Sequence, residues 1–168
     1  MIITNNEKAL RIQCQKVEDN EINDLITQLE NELNYVNSKH IYGIGLAAPQ
    51  IGIAKNIAIV RFNNVLINLI NPIITKSEDL KFFKEEGCLS FPGRVETTKR
   101  FQKITINNNS NFINLKGLEA VVCQHEIDHL NGILLPDRIF KPPVNLNSFC
   151  PCGSNKKFKK CCNLIKDL

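Results

Sequence analysis

Between Glu21 and Lys39 the apolar residues Ile22, Leu25, Ile26, Leu29, Leu33 and Val36 recur three or four apart. That spacing predicts an amphipathic helix laid on a core. Farther on the pattern changes to short β-rich runs, IAIVRF at 57–62 and VLINLI at 65–70. They read as two strands joined across Asn63-Asn64, residues that accept positive φ in a tight hairpin. Asn71-Pro72 ends this pattern, and the charged stretch from Lys76 to Glu85 reads as loop. A second hairpin is expected from KITIN at 103–107, through Asn108 to Ser110, into NFINL at 111–115. Helical spacing then returns in Leu118, Val121, Val122, His125 and His129, with Gly117 before them and Gly132 placed to end the last turn. Two strand pairs and two helices predict an α+β domain.

Composition narrows the setting of that domain. A chain of 168 residues with 43% apolar content buries one core of ordinary size. No apolar run approaches a membrane span, and the start MIITNNEKAL lacks the apolar centre of a secretory signal. A cytoplasmic, monomeric protein with no membrane partner is expected. Seven cysteines, an odd number without an export signal, point to free thiols or metal ligands and away from a disulfide framework. The net charge of +4 is uneven: residues 141–168 carry six lysines and one aspartate, leaving a net −1 for residues 1–140.

The densest chemistry lies in QHEIDHLNG, residues 124–132. On a helix His125 and His129 stand on one face, so both imidazoles reach one metal while Glu126 flanks it. A catalytic site of this kind needs a third protein ligand. No glutamate follows Glu126, which excludes a thermolysin-like set, and Leu135 stands where a metzincin has its third histidine. His40, Asp137 or a cysteine remains, and a thiolate is the strongest of these for a borderline metal. Cys88 sits in EGCLSFPG between Gly87 and Pro92-Gly93, an environment for a fixed, accessible thiolate, although a single cysteine taken alone is more often a small buried hydrophobe. Upstream, IYGIGLAAPQIG at 41–52 sets Gly43, Gly45 and Gly52 among small residues with one amide, Gln50. Such a run lets backbone approach a ligand, although by itself it is more often plain loop than site.

Three of these stretches, GIGLAAPQ (43–50), EGCLS (86–90) and QHEIDH (124–129), in this order and with these gaps, resemble the motifs of the peptide deformylases. The likeness covers residues 1–140 and implies an α+β fold with antiparallel sheets around a central metal-binding helix. It implies Cys88, His125 and His129 as ligands of one Fe(II) or Zn(II), and Glu126 as general acid and base. The developing oxyanion falls to the metal, the Gln50 amide and the backbone N–H of Leu89, while Gly45 touches the substrate backbone. The implied reaction is hydrolysis of the formyl group from formyl-methionyl nascent peptides, releasing formate. Ile44, Leu118, Val121 and Val122 are candidates to line a methionine pocket, with helix packing as the alternative for the last three. Arg94 is a looser match near the entrance.

After Phe140 the chain departs from that pattern. KPPVNLNS at 141–148 reads as a linker, since Pro142-Pro143 cannot continue a helix. In residues 149–168, Cys150, Cys152, Cys161 and Cys162 resemble the SEC-C motif, which implies a small module folded on a second, structural Zn(II). Lys156, Lys157, Lys159 and Lys160 lie between the thiolate pairs and suit a polyanion such as the ribosome. Two readings of the whole follow: a working deformylase with a docking tail, or a deformylase-like body that has lost activity and carries the zinc module.

Overall fold

The computed structural model describes residues 1–63, 65–141, 143, 145–150 and 154–161. The first long helix, α2 (Ile22–Ser38), follows a short α1 (Glu7–Leu10) and buries Leu25, Leu29, Leu33 and Val36, the stripe its periodicity marks. It ends where His40 takes a left-handed φ of 60° and the Asn37 side chain bonds both the N–H and the C=O of Gly43. This clamp turns the chain into β1 (Gly45–Ala47), which pairs antiparallel with β2 (Ile57–Phe62), itself paired with β3 (Val65–Ile70). The segment expected as glycine-rich loop is therefore a short strand followed by a 3₁₀ turn over Ala48–Ile51.

A second antiparallel sheet holds β4 (Ile73–Gly87), β5 (Val95–Asn108) and β6 (Asn111–Lys116), in that order. The hairpin between β5 and β6 closes on the pair Asn108 and Asn111. Asn109 and Ser110 are both left-handed, at φ 47° and 70°, as a two-residue primed turn requires. The charged stretch 76–85 is not loop: it is the middle of β4. Its alternation is hidden for two physical reasons. The strand lies on the sheet edge with much of its length in water, where charged side chains are tolerated and useful. Its register with β5 also shifts twice, between Ile74 and Lys76 and between Phe83 and Glu86, which breaks the period of two.

Helix α3 (Leu118–Leu130) runs between the two sheets and is buried at every residue from Ala120 to Leu130. Ala58, Val60 and Leu69 from one sheet and Ile104, Ile106 and Leu115 from the other meet Ala120, Cys123, Ile127 and Leu130 in one core. On the far side of the first sheet Ile57 and Ile59 join Leu46 and the stripe of α2 in a second core. Both faces of β2 are thus covered, which is why IAIV has no polar alternation. The fold is α+β, with the HExxH helix enclosed by antiparallel sheets as expected.

Beyond α4 (Leu135–Arg138) the chain returns to the body. Phe140 donates its N–H to Thr97 O at 2.7 Å, and its ring rests 4.2 Å from that of Phe82. After the stretch expected as linker, Phe149 and Lys157 form an antiparallel bridge, and Phe158 is buried with its ring 5.9 Å from that of Phe140. Of the four tail cysteines, Cys150 is buried and Cys161 half-buried; Cys152 and Cys162 lie outside the described residues.

Candidate metal centre

Two adjacent turns of α3 and the residue that follows β4 build the centre. His125 and His129 project from one face of the helix, and the Sγ of Cys88 lies 3.2 Å from Nε2 of His129. One ligand atom from each of Cys88, His125 and His129 lies within 4.8 Å of the others. Among the described residues no other group of this kind is formed. Asp137, weighed as a third ligand on sequence alone, instead receives Arg11 at 2.7 Å and caps the Leu134 N–H. His40 lies on the rim of the cleft. Cys123 is in the core and Cys14 packs against it; burial pushes their thiols up to about 12 and about 11.

The protein-side support for the triad is a buried ionic network. His125 Nδ1 meets Glu86 Oε1 at 2.6 Å, leaving Nε2 for the interior of the triad. Glu86 is in turn held by the Thr98 hydroxyl at 2.5 Å and by two nitrogens of Arg100 at 2.9 and 2.6 Å. Arg100 reaches on to Asp128 at 2.5 Å, and Asp128 also receives Arg138 at 2.9 Å. Burial alone would raise the Glu86 carboxyl; the bonds from Arg100 and His125 outweigh it and hold the group well below the usual carboxylate range. The β4 irregularity before Glu86, where Glu85 has φ 57°, turns this carboxylate inward. Of these residues, Glu86 and Asp128 sit inside the quoted motifs, but no periodicity marks them as partners. Arg100 and Thr98 carry no local signal at all; only the strand register places them under the helix.

The donor set fits a divalent ion. One thiolate and two imidazoles suit a borderline metal, and a buried second partner on His125 is the usual companion of a metal-binding imidazole. Burial lowers His129 well below its ordinary value, so its ring is neutral, the form that donates a lone pair. For His125 burial also lowers the value, but bonding to Cys88 and Glu86 reverses this and draws it up to about 10. A positive charge is thus favoured at this point, and a cation between the three ligands meets the same demand.

Glu126 lies beside the triad, 3% exposed, and burial pushes its carboxyl up to about 7. Its Oε2 is buried and has no hydrogen-bond partner among the described residues, an acceptor left for a group that the protein does not itself supply. Gly45 accounts for the room: a Cβ there would lie 2.3 Å from Glu126 Oε1, so any larger residue would displace the carboxylate. Gln50 is locked by its own contacts, accepting the Ala47 N–H at 2.8 Å and donating to Ser90 Oγ at 3.1 Å, with its nitrogen 3.8 Å from Cys88 Sγ. Leu89, Gly45, Ile44, Val121 and Val122 line the same ≈ 660 Å³ cleft as Cys88, His125 and Glu126. Ile44 is exposed at its edge, whereas Val121 is buried and Val122 also belongs to the inter-sheet core. Arg94 lines the cleft too, paired with Glu96 at 2.6 Å.

Comparison with known proteins agrees with this arrangement. The polypeptide deformylase family model matches residues 1–143 and the SEC-C motif matches residues 147–163. A peptide deformylase of Thermodesulfovibrio yellowstonii is 44% identical over 127 residues, 70% of this chain and 72% of that protein. One from Karelsulcia muelleri is 36% identical over 151 residues, 83% of this chain and 77% of its own. The crystal structure of peptide deformylase from Thermotoga maritima superposes with a TM-score of 0.71 at 32% identity, covering 84% of this chain and 97% of that one. A Synechococcus elongatus peptide deformylase in complex with actinonin gives 0.74 at 32% identity, covering 84% and 79%. A likeness that runs through both sheets and the central helix, in sequence and in backbone, leaves one conclusion: this chain belongs to the polypeptide deformylase family.

Proposed function

We propose that this chain removes the N-terminal formyl group from formyl-methionyl nascent polypeptides, releasing formate and a free amino terminus. The observation that carries this is the convergence of Cys88, His125 and His129 within 4.8 Å, in a chain of this family. Cys88, His125 and His129 hold one divalent ion, Fe(II) or Zn(II). When bound, that ion supplies an electrophile that makes water acidic and polarises the formyl oxygen. Glu126 takes a proton from the attacking water and returns it to the departing amine, so that one water is consumed for each formate and amine formed. The Gln50 amide and the Leu89 N–H are held to receive charge on the formyl oxygen. Gly45, beside Glu126, and Ile44, at the mouth, meet the substrate backbone, while Val121 and Val122 present apolar surface to the methionine side chain. Every chemical position of the family is filled, which favours this reading over a body that has lost activity.

The finer assignments follow the same logic. Cys150, Cys152, Cys161 and Cys162 form a structural Zn(II) site in residues 149–168, beyond a 1–140 catalytic body and a 141–148 connection. The lysines between the thiolates attract the ribosome, and the enzyme works as a cytoplasmic monomer. No helix among the described residues is long and apolar enough to cross a membrane. Purification without air, metal analysis and formate release from formyl-methionyl and formyl-aspartyl peptides test the main reading. Strong preference for the methionyl peptide is expected, because the pocket surface is apolar and a buried unpaired charge is costly. Equal rates on the two peptides refute the pocket, and no formate from either refutes the activity.

A further inference from the structure

A path of direct contacts joins the tail to the metal centre. Phe158, 4% exposed, lays its ring 5.9 Å from Phe140, and Phe140 lies 4.2 Å from Phe82 of β4. The backbone under these rings is tied to β5, with Phe140 N–H on Thr97 O at 2.7 Å and Ile139 bridged antiparallel to Thr98. Thr98 gives its hydroxyl to Glu86 at 2.5 Å, and the other oxygen of Glu86 meets His125 Nδ1 at 2.6 Å. The tail end is fixed by Phe158 N–H on Ser148 O at 2.8 Å and Cys150 N–H on Lys156 O at 2.7 Å. The Phe149–Lys157 bridge places Phe149 on the outer face, 75% exposed, while Phe158, one residue on, turns inward.

We propose that Phe158 is a positioning residue for the metal centre. Seated on Phe140, it holds the β4 and β5 ribbon at the register in which Glu86 orients His125. The need for such a restraint lies in β4 itself, an edge strand whose pairing is irregular between Phe83 and Glu86. A strand end beside a bulge, with one open edge, is paired by a neighbouring strand on one side only, so its twist responds to what packs on it. An outer partner of a metal-binding imidazole that loses its orientation lowers activity by about 10- to 100-fold in other metal sites. A residue that acts through that partner belongs at the lower end of this range. The inference rests on Cys88, His125 and His129 being the metal centre.

The test uses the full chain with 15N-labelled histidine, since only three histidines are present. In the parent protein His125 Nδ1–H is expected as a downfield, slowly exchanging proton. Across Phe158→Leu, Phe158→Val and Phe158→Ala, exchange of that proton should quicken as the side chain shrinks. The kcat for a short formyl-methionyl peptide should fall in the same order, by about tenfold for alanine, with KM within about twofold. The leucine variant should retain most of both signals, and Phe149→Ala, on the exposed face, should change neither. If the alanine chain does not fold, the valine chain is read in its place. A His125 proton and a kcat that ignore the size of residue 158 overturn the proposal, as does equal damage from Phe149→Ala. Failure of the underlying reading looks different: the parent protein then holds no ion that Cys88→Ala removes.

Discussion

Single residues at the centre divide into those that hold the ion and those that handle the substrate, and substitution separates them. Glu126→Gln is expected to retain the metal and lose roughly two to four orders of magnitude in turnover, the usual size of general acid and base help. Metal analysis beside formate release checks both halves, and near-normal turnover sinks the assignment. Cys88→Ala should lose the ion itself. Gly45→Ala should fold, because β1 tolerates alanine, yet lose activity, since its Cβ would lie 2.3 Å from the Glu126 carboxylate. Circular dichroism together with turnover distinguishes that outcome from unfolding. Cys14 and Cys123 should resist alkylation in the native protein at pH 8, because burial pushes their thiols up to about 11 and about 12. Their folded values lie above the unfolded ones, so the stability they contribute is present at neutral pH and lost as pH rises through the thiol range.

At the scale of elements, α3 is anchored to the second sheet by charge as well as by apolar packing. Arg100, 2% exposed, stands between Glu86 and Asp128, so Arg100→Met removes the cation these two buried carboxylates share, leaving Glu86 with Thr98 and His125 and Asp128 with Arg138. Loss of one member of such a set costs about 3–5 kcal/mol, which thermal unfolding should register. A drop under about 1 kcal/mol would mean that the network is solvated and contributes little. The pH dependence follows from the depressed Glu86 carboxyl. Its contribution is complete above the ordinary glutamate value of about 4.3 and fades progressively as pH falls below it. Denaturant midpoints measured from pH 6 down to pH 3 should therefore decline, and Glu86→Gln should flatten that part of the decline.

For the molecule as a whole, charge and packing assign the tail two faces. Phe158 turns towards the body, while Lys156, Lys157, Lys159 and Lys160 are exposed. Replacing these four lysines by alanine should leave Phe158 seated and short-peptide turnover intact. The same change should weaken ribosome co-sedimentation, most at low salt, since each lysine paired with a phosphate adds about 0.7–0.9 to the salt slope. Unchanged pelleting across salt would exclude the ribosome as a partner of these lysines.

The helix stripe of α2, both hairpins and the HExxH spacing follow from local chemistry, because a period of 3.6 or 2 and the residues that accept positive φ act over a few neighbours. The same holds for the choice of Cys, His and Glu as reactive groups, whose capacity is intrinsic to the side chain. The length of β4 is illegible in the sequence because an edge strand in water needs no apolar alternation and its bulges shift the period. Arg100, Thr98 and Asp128 become partners in the network around His125 only through the pairing of β4 with β5 and the seating of α3 on that sheet. The bond from His125 to Glu86 joins residues 39 positions apart, and nothing in a local window reports it. The seating of the tail belongs to the same class: Phe158 is one apolar residue in a run of lysines until the fold sets the ring of Phe140 against it.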